Sequence, residues 1–263
     1  MMFSDQPHCY YKNNPIAEVI CQLRFPEILT IGANPPVEFQ EAIRDAFPRY
    51  TVLQERPAPK IVGNPGNPVV QPQEATKNYQ FMSQDGIWRI NLTSKFISLA
   101  CRSYTTWEEF AHHLDKPLAA FIRIYHPAYY ERVGLRYVNF ISRKKLGLEH
   151  IPFRDLLQPA YTGLLNEEEL DEKTFTRNAL DVECTIRSGC RVKIHAGIGL
   201  VKQNGQRSNE VMYIFDQDLY MPGNVPINLS AGALQTLHTH AFPIFRGAVT
   251  DTLHEAMDPQ SNY

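Results

Sequence analysis

Residues 129–141 (YYERVGLRYVNFI) constrain this chain most, because they repeat at mid-sequence the pattern of its opening strand. Residues 16–25 (IAEVICQLRF) alternate Val19, Cys21, Leu23 and Phe25 with Glu18, Gln22 and Arg24, as a strand with one buried face requires. In the mid-chain stretch Glu131, Val133, Leu135 and Tyr137 share one face, and Tyr130, Arg132, Gly134 and Arg136 share the other. Leu23-Arg24-Phe25 corresponds to Leu135-Arg136-Tyr137. A strand that recurs halfway along a chain points to a duplicated unit.

The order of elements in the first half supports that reading. After the opening strand, Pro35-Pro36 introduces VEFQEAIRDAF, a helix with Val37, Ala42, Ile43 and Phe47 on one stripe, ended by Pro48. Residues 53–78 carry Pro57, Pro59, Pro65, Pro68 and Pro72 with Gly63 and Gly66, which predicts an extended Pro-rich arm with one short strand at 69–73. Strands at 79–83, 87–93 and 96–102 form an antiparallel meander, with Asp85-Gly86 as a two-residue hairpin turn. Thr106 and Glu109 fit a capping box, and Trp107, Phe110, Leu114, Leu118, Phe121 and Ile122 continue a helical stripe to His126-Pro127, with Pro117 predicted to kink or restart it.

The second half repeats this order. A short helix at 153–158 follows the mid-chain strand, and the acidic run NEEELDEK at 166–173 reads as solvated and without a partner. Strands at 179–187, 191–201 and 211–218 are joined at Ser188-Gly189 and Asn204-Gly205. A final helix runs from Ser230 towards Met257 on Leu234, Leu237, Ala241, Phe245, Val249 and Leu253, bent at Pro243. The expectation is an α+β fold of two repeats, 1–127 and 128–263, forming a curved antiparallel sheet with helices on one face. The element order is similar to the duplicated saddle of TATA-binding-protein-like folds, a likeness of shape and not of binding.

Composition excludes several classes. Of 263 residues 43% are hydrophobic and 21% charged, too apolar for a disordered chain. No apolar run approaches the roughly 20 residues of a membrane span, so no membrane partner is expected. The amino terminus has no basic segment followed by an apolar one, which predicts a cytoplasmic protein. The five cysteines are odd in number and form no CxxC pair, as expected of reduced, buried thiols and not of a zinc site. A net charge of -2 argues against non-specific coating of nucleic acid but leaves room for a local basic face.

Alternation places such a face opposite the apolar one: Arg24, Arg89, Arg102, Arg132, Arg136, Arg187, Arg191, Lys193 and His195, against Glu18, Asp181 and Glu183. Guanidinium groups on a sheet hold phosphates or carboxylates through paired hydrogen bonds, so the functional reading is an anionic ligand, an acidic protein partner or a nucleic acid. The ordinary reading is a solvated face with cross-strand ion pairs. Arg24 and Arg136 stand out because the repeat makes them equivalent. His238 and His240 are two residues apart on a helix and point about 200° apart, so they cannot share a metal. His254 lies further along, and His112 and His113 are adjacent and diverge. There is no GxSxG elbow or SxxK, and Gly197-Ile198-Gly199 is followed by neither a phosphate-loop lysine nor a helix, marking close packing instead. No catalytic residue, metal or cofactor is expected.

The segments NNPIAEVICQLRF, YQFMSQDGIWRINLTSKFISL, SYTTWEEF, VGLRYVNFI and HAFPIFRGAVTDTLHEAM together resemble an uncharacterised, sporadically distributed family of prokaryotic proteins, in the same order and over nearly the whole chain. The resemblance implies no activity; the patchy distribution implies a mobile or defence-related gene context. The expected function is a non-enzymatic binding or adaptor protein with another protein as partner. The alternatives are a nucleic-acid binder using the same face and a hydrolase with an unfamiliar site.

Overall fold

Alternation in the opening strand translates directly into burial: Val19, Cys21 and Leu23 are fully buried, and Phe25 just beyond it is 1% exposed. The computed structural model describes residues 2–55, 60–62, 69–71, 75–203 and 206–261. Along the chain lie β1 (Cys9–Tyr11), β2 (Ile16–Arg24), α1 (Leu29–Ala33), α2 (Val37–Ile43), β3 (Arg49–Glu55), β4 (Lys60–Val62), β5 (Val69–Gln71), β6 (Thr76–Met82), β7 (Trp88–Leu92), β8 (Phe96–Cys101) and α3 (Trp107–Tyr125). They continue as β9 (Tyr130–Ile141), α4 (Arg143–Leu146), α5 (Phe153–Leu156), α6 (Pro159–Thr162), β10 (Asn178–Thr185), β11 (Arg191–Gln203), β12 (Gln206–Val225), α7 (Ser230–Ala248), α8 (Asp251–Ala256) and β13 (Pro259–Ser261).

The fold is α+β, with an open antiparallel sheet of nine strands in the order β10-β11-β12-β9-β2-β8-β7-β6-β3. Within each half of the sequence the pattern is the same: the leading strand is followed by the last, the middle and the first strand of its meander. By compactness the chain divides into one unit of Met1–Ile20, Gly134–Pro222 and Leu229–Tyr263, and a second of Cys21–Val133 and Gly223–Asn228. Among the described residues no helix is long and apolar enough to cross a membrane.

In the second unit α3 starts where the sequence says it must. The Thr106 hydroxyl accepts the Glu109 N–H at 3.2 Å, and the Glu109 carboxylate takes the hydroxyl of Thr105. The buried stripe is Trp107, Phe110, Leu114, Pro117, Ala120 and Phe121, with Phe121 packed 4.8 Å from Phe25 and Phe110 5.8 Å from Trp88. Contrary to expectation, α3 runs unbroken through Pro117. The ring lies on the apolar stripe, three residues after Leu114 and four before Phe121, so packing offsets the missing N–H. His126 closes the helix in the left-handed region at φ 47°, its N–H donating to the Ile122 carbonyl. Thr106→Ala is expected to cost about 1 kcal/mol of stability in urea unfolding, since it orphans a helix N–H.

Several expectations need correction. In α2 the buried residues are Phe39 and Ile43, with Phe47 beyond it, whereas Val37 is 64% exposed. Asp85-Gly86 lies in a longer turn over 84–87: Met82 pairs with Arg89, Gly86 sits at φ 76°, and the Asp85 carboxylate accepts the Ile87 N–H at 2.9 Å. The arm contains two strands, β4 and β5, paired with each other; Pro57, Pro59, Pro65, Pro68 and Pro72 lie outside the described residues. So does Asn204-Gly205, although the flanking Gln203 and Gln206 are paired. The final helix breaks six residues past Pro243, at Val249, which turns extended and bridges to Leu157 while Thr250 caps α8. In the acidic run Glu172 does have a partner: its carboxylate lies 2.7 Å from Arg143 and accepts the Phe153 N–H at 2.6 Å.

Candidate functional site

Period two gives β11 and β12 of the first unit one wet face and one dry face. On β11, Val192, Ile194 and Ala196 are buried while Arg191, Lys193 and His195 are not, and on β12 Phe215, Gln217 and Leu219 are buried while Asp216, Asp218 and Tyr220 are half-buried. The dry face meets α7, where Phe245 packs 5.7 Å from Phe215. The register then aligns the wet side chains in rows: Thr185, Arg191 and Tyr220; Glu183, Lys193 and Asp218; Asp181, His195 and Asp216. Arg136 on β9 completes the third row by gripping both carboxylate oxygens of Asp216, Nε at 2.7 Å from Oδ1 and Nη2 on Oδ2.

Column by column the charges alternate: acidic on β10, basic on β11, acidic on β12 and basic on β9. His195 Nδ1 is 3.1 Å from Asp181, Lys193 Nζ is 3.6 Å from the same carboxyl group, and Arg191 is 4.0 Å from Glu183. The Tyr220 hydroxyl donates to Glu183. Hydrogen bonding to His195 holds the Asp181 carboxyl below its ordinary range, and the Asp216 hydrogen bond raises the Arg136 guanidinium above its own. Glu183 holds the Tyr220 phenol up in the same way. Three cationic groups, Arg136, Arg191 and Lys193, share this face with four carboxylates, Asp181, Glu183, Asp216 and Asp218.

Of the nine residues expected on a basic face, the structure thus brings together Arg136, Arg191, Lys193 and His195. Arg187 belongs elsewhere. It falls in a tight turn (Arg187–Gly189) and not in the strand, and its guanidinium lies 5.9 Å over the Phe3 ring. Arg24, Arg89, Arg102 and Arg132 belong to the second unit: Arg24 is exposed at the end of β2 and Arg102 just past β8, while Arg89 on β7 and Arg132 on β9 are half-buried. Tyr130, grouped with Arg132 by alternation, is fully buried. Asp216 and Asp218 were legible by the same alternation, flanking Gln217 between Phe215 and Leu219, and they change the sign of the face.

The histidines take separate partners. His238 Nδ1 meets the Tyr137 hydroxyl at 2.9 Å, His254 Nδ1 meets the Tyr11 hydroxyl at 2.8 Å, and His240 stands edge-on to Phe3. His113 stacks on Trp88 at 4.0 Å. Among the described residues no group of three or more His, Cys, Asp or Glu is placed to hold a metal. Burial pushes the Cys21 thiol up to about 12 and raises Cys9 and Cys190 as well, the opposite of an activated nucleophile. Compared with known proteins, the chain matches no protein-family model and no curated protein.

Proposed function

We propose that this is a non-enzymatic binding protein of the cytoplasm that engages another protein through the wet face of β9–β12. The observation that carries the reading is an alternation of sign across four adjacent strands: Asp181 and Glu183 on β10, Arg191 and Lys193 on β11, Asp216 and Asp218 on β12, and Arg136 on β9. A protein surface of complementary mixed charge matches such a pattern, and electrostatic complementarity sets orientation and selects against wrong partners. A polyanion does not match it, because every phosphate track over Arg191 and Lys193 also passes carboxylates on both neighbouring strands. The likeness to the sporadically distributed prokaryotic family adds a mobile or defence-related gene context to this proposal and no chemistry.

The test compares the wild-type chain with a Lys193→Glu/Arg136→Glu variant as bait in extracts of the native host, with circular dichroism to verify folding. One protein retained by the wild type at moderate salt and lost by the variant is the expected result. Immobilised DNA and RNA are run in parallel. Salt-sensitive retention on either that disappears with Arg191→Ala/Lys193→Ala would overturn the protein-partner reading in favour of nucleic acid.

A further inference from the structure

Among the described residues the nine-strand order ends at β3, which pairs with β6 on one side and with no strand on the other; β4 and β5 pair with each other. Natural sheets blunt such an edge with lysine, proline, a bulge or a charged, short strand. β3 has no lysine, proline or bulge, and its only charges, Arg49 and Glu55, are its end residues. Its register to β6 runs unbroken over seven pairs, from Arg49 opposite Met82 to Glu55 opposite Thr76, and residues 50–54 are uncharged. Three large apolar side chains stand out from it: Tyr50 is 44% exposed, Val52 41% and Leu53 44%. Tyr50 lies 5.3 Å from buried Phe81 and 6.5 Å from Tyr79, so the dry face of this unit continues onto its last strand, where these side chains stay exposed among the described residues. At the other end of the order β10 carries Asp181 and Glu183 within the strand, whereas the charges of β3, Arg49 and Glu55, stand only at its two ends.

The sequence of β3, RYTVLQE, is complementary to itself when reversed. Antiparallel pairing of two copies about Val52 sets Val52 against Val52, Thr51 against Leu53, Tyr50 against Gln54, and Arg49 against position 55, which is glutamate in the sequence. A two-fold axis through one residue pair is the symmetry that an isologous antiparallel contact demands. We propose that β3 is a homodimerisation edge, on which a second copy of this chain adds its own β3 in antiparallel register about Val52 and continues the sheet.

The experiment is sedimentation velocity of the full chain over a concentration series. The mass is expected to rise from the 30.2 kDa of one chain to twice that value. Val52→Lys sets like charges against each other on the axis, at a position exposed enough to tolerate lysine in the monomer, and is expected to hold the chain at the single mass. Arg49→Glu is expected to weaken the dimer at least tenfold, and adding Glu55→Arg to restore it, because the swap rebuilds both end pairs only in this register. A chain that stays at the single mass at its highest soluble concentration overturns the proposal. So does a dimer that ignores Val52→Lys, or a charge swap that restores nothing.

Discussion

Arg143→Ala is expected to lower the unfolding free energy by about 3–5 kcal/mol, the usual effect of removing one partner of a shielded ion pair. Arg143 and Glu172 side chains are 18% and 17% exposed, and their closest atoms are 2.7 Å apart. The guanidinium also donates to the Ile151 carbonyl at 3.0 Å and lies 4.0 Å over the Phe153 ring, while Glu172 accepts the first N–H of α5. One side chain thus ties α4, α5 and the acidic loop together. Its loss leaves a carboxylate largely out of water with no counter-charge. Adding Glu172→Gln to Arg143→Ala should recover part of the loss, because the orphaned charge goes with it. Urea unfolding of the four chains of this cycle gives the coupling directly. A loss below about 1 kcal/mol for Arg143→Ala would mean that the pair behaves as an exposed one.

Gly197→Ala is expected to cost about 2–3 kcal/mol and to loosen β10 selectively. A Cβ at this position would lie 2.0 Å from the Asn178 carbonyl oxygen, 2.9 Å from its carbon and 3.0 Å from the Ala179 Cα. All three are backbone atoms of the facing strand, so relief requires moving β10 and not turning a side chain. Gly199→Ala is the control: its Cβ would meet only the Cδ1 end of Ile214, at 3.1 Å, and should cost less than about 1 kcal/mol. Hydrogen exchange at the amides of 178–185 reports the local part of the effect. Equal losses for the two variants would show that the close approach at Gly197 has no special weight. Because β10 carries Asp181 and Glu183, the same substitution should also disorder one column of the proposed binding face.

Period-two alternation was the best guide to this fold. It marked the buried residues of β2 and most of β9, both meanders and the wet residues of β11. The capping signal at Thr106 was equally clear, since a cap is read from four neighbouring residues. Prolines misled in both directions. Pro117 does not interrupt α3 because its ring fills the buried stripe, and the break in the last helix falls at Val249, where a bridge to Leu157 replaces the helical bond. β3 passed unnoticed between Pro48 and the arm because its alternation is not polar against apolar; it is an edge, exposed over Arg49–Gln54, whose strand conformation depends on β6 beside it.

By itself the sequence determined which residues alternate, where helices begin, and that arginine, lysine and histidine share one side of their strands. Those properties are local, fixed by backbone geometry over a few residues. Only the tertiary structure decided which charge stands beside which. Register across β10, β11, β12 and β9 sets acids against bases and turns an expected cationic surface into one of mixed sign, while Arg187 leaves it for the Phe3 ring. The same holds for Arg143 and Glu172, 29 positions apart and joined only once the chain between them has folded. Coulomb and hydrogen-bond energies depend on separations of a few ångströms between residues distant in sequence, and no pattern within a single strand encodes those separations.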